Sequence, residues 1–297
     1  MATLALARHV PTSFPKAISM QNNDSTAPHS SINYEKAVEE HATYLDTLRQ
    51  YLPVVCLPPL NDFPDSMFVE DTMVAIGKKA VITNPGHQSR RSECATIQTF
   101  VQDYLGMTTT SMQEHNRQHQ SSTQTPAYCD GGDVLSLGNK LFVGINGTRT
   151  NYEAVPLLEH GLEVEVIPIP FTSSVDALHL KSILTHVDEH TVLVPDTELG
   201  QRVVHTLMQE ANVVYEIVTL PSHATLSCNV VVVPNNSSNN NKNGLLMAQL
   251  VHDDDHKTRQ ILHEVAHERA LDLKFITAKE AAKADGALTC CSVLLDL

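Results

Sequence analysis

The chain has 297 residues and an acidic balance, with 34 Asp and Glu against 20 Lys and Arg. The net charge of −14 disfavours binding to phosphate backbones, so nucleic acid is not an expected partner, whereas a small cationic ligand suits such a surface. With 42% hydrophobic and 18% charged residues, the chain can form a core and is not of the disordered class. No apolar run reaches the ~18 residues of a membrane span, so no membrane partner is expected.

Six cysteines are spread along the chain without a C-x-x-C pair, a pattern typical of neither a zinc site nor a disulfide framework. Reduced thiols are therefore expected, as in a cytoplasmic protein. The apolar run at the N-terminus is interrupted by Arg8, His9 and Pro11, which is too early for a secretory signal. These patterns predict no metal and no organic cofactor.

Four stretches of the chain share one predicted order of elements, namely strand, strand, helix and strand; they span residues 72–112, 133–169, 178–220 and 228–277. A strand–helix–strand set at the N-terminus and a single strand at the C-terminus together supply a fifth unit. Circular repeat folds close in this way, with one unit completed by both chain ends. We therefore predict a single α/β domain over residues 1–297, built as a five-bladed propeller with the helices outside.

Two polar segments interrupt the repeats. Residues 113–127 are poor in hydrophobic side chains and predict a flexible surface loop. Residues 235–243 are almost entirely Asn and Ser and predict a hairpin loop inserted between two strands. Neither segment is expected to take part in catalysis.

A polar cluster opens the inner strand of each predicted unit. Because equivalent strand ends meet at the axis of a circular array, we expect these clusters to converge in one central pocket. The clusters are Glu70-Asp71, Asp130 to Asp133, His179, Cys228-Asn229, and Asp285-Gly286 ahead of Cys290.

Five segments, in order, resemble the signature motifs of the dimethylarginine dimethylaminohydrolases: FPDSMFVEDT, PGHQSRR, CDGGDVL, HLKS and ADGALTCCSVLL. The R-x-x-P-x-S pattern from Arg8 to Ser13 also fits, so the resemblance covers nearly the whole chain. That family belongs to the guanidino-group-modifying superfamily and has a five-bladed α/β propeller, the pentein fold. The resemblance implies hydrolysis of the guanidino carbon–nitrogen bond of N-omega-methylated arginines, with citrulline and dimethylamine as the products from dimethylarginine.

The resemblance also implies a catalytic triad. Cys290 is the expected nucleophile, because a thiolate attacks carbon readily, and His179 is the expected acid and base. Asp130 is expected to orient His179, although D-G-G-D is equally a tight-turn sequence. Cys290 and Cys291 lie in the predicted C-terminal strand LTCCSVLLDL, where successive side chains point to opposite faces, so Cys291 is expected to face the core.

A substrate-binding set follows from the same resemblance. Carboxylates are expected at the guanidinium, which presents a planar fork of donors, and arginines at the substrate's α-carboxylate. Of these arginines, the one at position 149 precedes a predicted helix, where a structural role is a serious alternative. The predicted set is Asp65, Phe68, Glu70, Asp71, Arg90, Arg149, Ser182 and Asp285.

Several alternatives stay open. An arginine deiminase-like enzyme would act on unmethylated arginine, and an amidinotransferase would pass the amidino group to an amine. A guanidine without an α-carboxylate, or a non-catalytic sensor of arginine derivatives, would also fit the motifs. The predicted lid, around Pro15 to Asp24, does not match the family closely and leaves the exact substrate open. Whether the chain forms a homo-oligomer is also left open.

Overall fold

The computed structural model describes residues 2–19, 31–119, 125–172, 177–211, 213–235 and 243–297. In this part of the chain the strands are β1 (Leu4–Arg8), β2 (Val54–Leu57), β3 (Met73–Ile76), β4 (Lys79–Ile82), β5 (Thr108–Ser111), β6 (Val134–Leu137), β7 (Lys140–Ile145), β8 (Glu165–Pro170), β9 (Thr185–His186), β10 (Thr191–Pro195), β11 (Glu216–Leu220), β12 (Val231–Val233), β13 (Gly244–Ala248), β14 (Leu271–Phe275) and β15 (Ser292–Leu295).

The strands form five three-stranded sheets of one topology: β3-β4-β5, β6-β7-β8, β9-β10-β11, β12-β13-β14 and β15-β1-β2. In each sheet the first strand pairs antiparallel with the middle strand, which pairs parallel with the third. Residues from all five first strands line a central cavity of about 190 Å³, so these strands surround the axis. The predicted five-bladed α/β propeller, closed by both ends of the chain, is confirmed.

Each parallel pair needs a crossover connection, and in every unit that connection contains a helix. The five crossover helices are α1 (Tyr34–Arg49), α2 (Cys94–Asp103), α4 (Val155–Leu162), α6 (Glu198–Ala211) and α7 (His256–Glu268). Three shorter helices are α3 (Met112–Gln118), α5 (Leu180–Ile183) and α8 (Lys279–Ala282). No helix in the described ranges is long and apolar enough to cross a membrane.

The third unit corrects a strand prediction. LHLKSIL was expected to be a strand, but it forms the helical turn α5, and the inner strand β9 is only Thr185–His186. The Asp133 carboxylate accepts the Leu180 N–H at 2.9 Å, and the Ser182 hydroxyl accepts the His179 N–H at 3.4 Å. Capping of the first N–H groups stabilises a helical turn over the extended form that the apolar residues favoured.

The predicted polar loop at 113–127 is also corrected. Its first part lies in α3, which begins where the Ser111 hydroxyl accepts the Glu114 N–H. Asn116 then binds both backbone groups of Ala127, at 2.9 and 3.0 Å, so the end of the segment is anchored. Residues 120–124 lie outside the described residues, as do 236–242 of the predicted hairpin insertion and 20–24 of the predicted lid.

A short helical turn precedes the inner strand of every unit. The turns of the first and second units contact each other, as do those of the second and third, the third and fourth, and the fifth and first. The fourth and fifth units are joined by hydrogen bonds between Asn229 and Thr289. The turns therefore form a closed ring around the axis, made of Val69–Thr72, Gly131–Asp133, Leu180–Ile183, Thr225–Cys228 and Thr289–Cys291.

His41 is a buried histidine of α1, and it lies near Leu288 and Cys291 of the same unit. It is only 5% exposed, and neither ring nitrogen has a hydrogen bond of normal geometry to the described residues. Burial lowers the pKa of His41 to about 4, and the nearby backbone of Arg8 offsets this only in part. The unfolded chain therefore binds a proton on this residue between about pH 6.5 and 4 that the folded protein does not, so stability is lost as the pH falls through this window.

We expect His41→Leu to flatten this acid dependence. The wild type should lose on the order of 3 kcal/mol through His41 between pH 7 and 4, because 1 pKa unit corresponds to about 1.4 kcal/mol. Urea unfolding at pH 7, 5.5 and 4 measures the loss, with the exposed His267→Leu as the matched control. An equal slope in wild type and His41→Leu would contradict the assignment.

Candidate active site

The ring of turns brings a histidine and a carboxylate together. His179 precedes α5 and Asp130 precedes the turn Gly131–Asp133, and both are almost fully buried. His179 Nε2 lies 2.9 Å from Asp130 Oδ2, and the other carboxylate oxygen of Asp130 accepts the Gly86 N–H at 2.9 Å. The two side chains come from different units, so the pair exists only in the closed ring.

Three carboxylates determine the charge of His179. Burial disfavours the imidazolium, but the charge of Asp71, the hydrogen bond that His179 donates to Asp130, and the charge of Asp133 outweigh burial and raise the pKa of His179 to about 9. His179 is therefore protonated at neutral pH. A protonated imidazole can donate a proton to a leaving group, whereas it cannot ligate a metal.

Asp71 and Arg90 form a buried ion pair beside His179. The Asp71 carboxylate accepts the Gly132 N–H at 2.9 Å and a bond from Arg90 Nη1. Arg90, only 4% exposed, also donates to the Glu93 carboxylate and to the backbone oxygens of Phe68 and Asp65. Burial would raise the pKa of Asp71, but His179 and Arg90 lower it to about 2, so the carboxylate is charged.

Asp71, Asp130 and His179 also form a group of potential metal ligands within the described ranges, with ligand atoms within 4.8 Å of one another. Their contacts are those of a charge-balanced cluster. Arg90 and the His179 imidazolium neutralise the two carboxylates, and Gly132 and Gly86 donate backbone N–H groups to them. Hydrogen bonding within the protein therefore accounts for their proximity.

Glu70 lies in the same turn as Asp71 but faces other partners. Its Oε1 accepts Lys181 Nζ at 2.6 Å, and its Oε2 accepts the Thr289 hydroxyl at 2.9 Å. Lys181 belongs to α5 of the third unit and Thr289 to the turn of the fifth. Glu70 therefore links three units at the axis, directly beside the residue that precedes Cys290.

Cys290 lies in the turn Thr289–Cys291 and not in a strand, as had been predicted for it and Cys291. Its Sγ accepts the Ala287 N–H at 3.4 Å. Burial raises the pKa of the Cys290 thiol well above its usual value, and the charges of Glu70 and Asp71 raise it further. The thiol is therefore protonated at neutral pH, and a cation placed among these carboxylates would favour the thiolate.

Cys291 points into the core, as expected. Its Sγ contacts the Ala287 carbonyl oxygen at 3.6 Å, and it lines a small internal void with His41, Tyr44 and Leu288. Neighbouring cysteines of one turn thus have different surroundings, because Cys291 lies against α1 whereas Cys290 is also near Asp71.

The remaining predicted residues lie around this cluster. Asp65 accepts the Ile18 N–H at 3.1 Å, so the described part of the predicted lid is tied to a predicted substrate-binding carboxylate. Arg149 Nη1 is 3.5 Å from Asp130 Oδ2, and its side chain is 12% exposed. Ser182 caps the turn that begins after His179.

Phe68 and Asp285 lie at the seam between the first and fifth units. Phe68 packs edge-on against Phe14, with ring centroids 5.8 Å apart. A Cβ on Gly286 would come within 2.4 Å of the Phe68 ring, so only glycine fits there. Asp285 has a positive φ of 54°, which aims the chain into the turn that carries Cys290.

Sequence reasoning missed several residues that organise the site. Asp133 caps α5, and Glu93 pairs with Arg90. Lys181 and Thr289 bind Glu70, and Asn229 binds Thr289. Asn229 and Asp133 stood in the polar clusters of the repeats, and Glu93 lies three residues after Arg90, so each of these had a signal in the sequence. No sequence signal paired Lys181 or Thr289 with Glu70.

Comparison with known proteins identifies the class. Residues 54–230 match the family model of arginine deiminase. A dimethylarginine dimethylaminohydrolase of Streptomyces coelicolor is 30% identical over 270 residues, which cover 89% of this chain and 88% of that protein. The chain belongs to the dimethylarginine dimethylaminohydrolase family. A dimethylarginine dimethylaminohydrolase of Pseudomonas aeruginosa is 32% identical over 168 residues, which cover 54% of this chain and 59% of that protein.

Solved structures share the fold. The Pseudomonas aeruginosa dimethylarginine dimethylaminohydrolase, in complex with citrulline, superposes with a TM-score of 0.74 at 21% identity over 99% of both chains. The N-terminal domain of the cyanobacterial arginine dihydrolase ArgZ, bound to its product, has a TM-score of 0.72 at 17% identity, covering 99% of this chain and 97% of that domain. At these identities the likeness establishes the fold.

Proposed function

We propose that this protein hydrolyses the guanidino carbon–nitrogen bond of N-omega-methylated arginines through a covalent intermediate on Cys290. The observation that carries the proposal is the convergence, on one ring of turns, of the His179–Asp130 pair, Cys290, and the carboxylates of Glu70 and Asp71. The relatives named dimethylarginine dimethylaminohydrolase support the choice of substrate.

The proposed first half-reaction begins with binding of the cationic guanidinium beside Asp71 and Glu70. The added positive charge lowers the cost of ionising Cys290, and the thiol proton passes to solvent. Cys290 Sγ then bonds to the guanidinium carbon. His179 gives its proton to the substituted nitrogen, the carbon–nitrogen bond breaks, and dimethylamine leaves.

The second half-reaction releases the intermediate, a thiouronium on Cys290. His179, now neutral, accepts a proton from water as the water oxygen bonds to the same carbon. The carbon–sulfur bond breaks, Cys290 leaves as a thiolate, the second proton of the former water passes to solvent, and the product carries the neutral ureido group of citrulline. The bond from Asp130 fixes the ring orientation in both steps.

Arg149 is proposed to bind the substrate's α-carboxylate. One N–H of Arg149 Nη1 is directed at the Asp130 carboxylate, and the guanidinium carries four further N–H donors. The same role was predicted for Arg90, but that side chain contacts Asp71, Glu93 and two backbone oxygens, so in the observed state we assign it to positioning Asp71.

An arginine deiminase-like activity on unmethylated arginine is the second candidate, and the match to the arginine deiminase family model favours it. The same residues would perform that reaction, with ammonia as the leaving group. The two functions differ in the size of the substituent accepted at the reacting nitrogen.

A product assay distinguishes these functions. The purified protein is incubated with asymmetric dimethylarginine, arginine or agmatine, and citrulline, dimethylamine and ammonia are quantified. We expect citrulline and dimethylamine in equal amounts from dimethylarginine and little turnover of the other two. Ammonia from arginine at a higher kcat/KM would move the assignment to the second candidate. Because agmatine has no α-carboxylate, its turnover would show that the enzyme does not require this group for substrate recognition.

A further inference from the structure

Asn229 is a buried polar residue of the ring that the proposed reaction does not use. It follows the turn Thr225–Cys228 of the fourth unit and is 2% exposed. The first, second, third and fifth units each supply a residue of the proposed reaction at the ring, whereas the fourth unit supplies none of the residues assigned to that reaction. Its contribution is an amide side chain directed at the fifth unit.

The Asn229 amide forms a two-point contact with Thr289, the residue before Cys290. Asn229 Oδ1 accepts the Thr289 N–H at 2.9 Å, and Asn229 Nδ2 donates to the Thr289 hydroxyl at 3.0 Å. The Thr289 N–H begins a helical turn, so the turn itself offers it no backbone acceptor. The side chain of a different unit therefore caps the turn that carries Cys290.

The same amide belongs to a closed circuit of hydrogen bonds. Asn229 Nδ2 also reaches the Lys181 carbonyl oxygen at 3.0 Å, and Lys181 Nζ donates to Glu70. Glu70 accepts the Thr289 hydroxyl, which returns the circuit to Asn229. The first, third, fourth and fifth units are thus connected through these four residues. The circuit includes Thr289, whose backbone is bonded to that of Cys290.

We propose that Asn229 is a positioning residue for Cys290, which fixes the nucleophile's turn through Thr289 and couples it to the Lys181–Glu70 pair. The proposal rests on the proposed function for its kinetic readout. Attack at carbon tolerates little error in the position of the sulfur, and a misplacement of about 1 Å costs on the order of 100-fold in rate. By holding the turn Thr289–Cys291 in place, Asn229 would raise kcat without contacting the substrate.

Only an amide satisfies every contact at this position. It offers one acceptor to the Thr289 N–H and donors to the Thr289 hydroxyl and the Lys181 carbonyl oxygen. Aspartate has nearly the same shape but presents oxygen where the two donor contacts are made. It would also add a negative charge near Glu70 and Cys290, which makes Cys290 harder to ionise.

The test compares Asn229→Asp and Thr289→Val with wild type. For both variants we expect kcat for the proposed substrate to fall about 10- to 100-fold, with KM within about twofold. Thr289→Ser retains the hydroxyl and should keep kcat within about threefold of wild type. Asn243→Asp adds the same charge at an exposed position of the fourth unit and should leave kcat unchanged.

A second readout does not depend on the substrate. The rate of Cys290 alkylation by iodoacetamide is followed against pH by mass spectrometry, and its midpoint should move to higher pH in Asn229→Asp but not in Asn243→Asp. If wild type turns over none of the substrates, the proposed function fails and this shift still decides the role of Asn229.

Two results would overturn the proposal. One is an unchanged kcat, together with an unchanged alkylation profile, in Asn229→Asp. The other is a loss that appears wholly in KM, which would place Asn229 in substrate binding. Should Asn229→Asp fail to fold, Thr289→Val, which keeps the shape of threonine, and Thr289→Ser, which keeps its hydroxyl, decide. Equal kcat values for these two would exclude a role for the Asn229–Thr289–Glu70 connection.

Discussion

Replacement of Cys290 by alanine is expected to lower kcat by at least about 10⁴-fold, since removal of a nucleophile leaves only binding and electrostatic assistance. Affinity for citrulline should change only a few-fold, because the carboxylates and Arg149 remain in place. Product formation and calorimetric titration of citrulline measure the two effects. Residual turnover near that of wild type would show that the covalent route through Cys290 is wrong.

Cys291→Ala is the matched control. This neighbour in the same turn faces the core beside His41 and Tyr44, whereas Cys290 is influenced by Asp71 as well as Glu70. Loss of its sulfur should reduce stability by about 1 kcal/mol, as for a small core truncation, and leave kcat within a few-fold of wild type. A large loss of kcat in Cys291→Ala would contradict the difference between the two thiols.

Replacement of Arg90 by methionine is expected to destabilise the fold by about 3–5 kcal/mol. Arg90 neutralises Asp71 and Glu93, which are both almost fully buried, and removal of one partner from a buried ion pair leaves uncompensated charge. Urea unfolding at pH 7 measures the loss. Activity of the folded fraction should also fall, because Asp71 would lose the contact that holds it beside His179.

Arg117→Met, at an exposed position in α3, is the control and should change stability by less than about 0.5 kcal/mol. The Arg90 experiment also tests the prediction that this side chain clamps the substrate's α-carboxylate. If Arg90→Met unfolds at the same urea concentration as wild type and only KM rises, the clamp is the better description.

Much of the fold was predictable because the repeated order of strands and helices can be recognised from the local sequence of each unit. The order of strand, strand, helix and strand recurs with apolar strands and amphipathic helices, and incomplete units at both ends left one way to close the circle. The prediction failed where a distant side chain decided the local structure. LHLKSIL has the apolar content of a strand, but the Asp133 carboxylate of the neighbouring unit caps its first turn.

The candidate site was predictable as a set of positions but not as a set of partners. Repeat alignment and family resemblance indicated which residues meet at the axis, and His179 and Asp130 do meet there. Neither method could tell that Arg90 is enclosed by Asp71 and Glu93, or that Glu70 binds Lys181. Glu93 lies one helical turn from Arg90, whereas the Arg90–Asp71 and Lys181–Glu70 pairs join segments whose distance is set only by the packing of the ring.

The sequence by itself therefore determined most of the secondary-structure order and the closure of the propeller, and it supplied the residues to which the proposed reaction is assigned. Each of these depends on hydrophobic periodicity or on motifs that lie within a few consecutive residues. The tertiary structure decided the ionisation of the site, because the charges of His179, Asp71 and Cys290 depend on burial and on neighbours from other units. It also decided the role of Asn229, since a side-chain cap supplied by another unit has no local signature and arises only when five turns close into a ring.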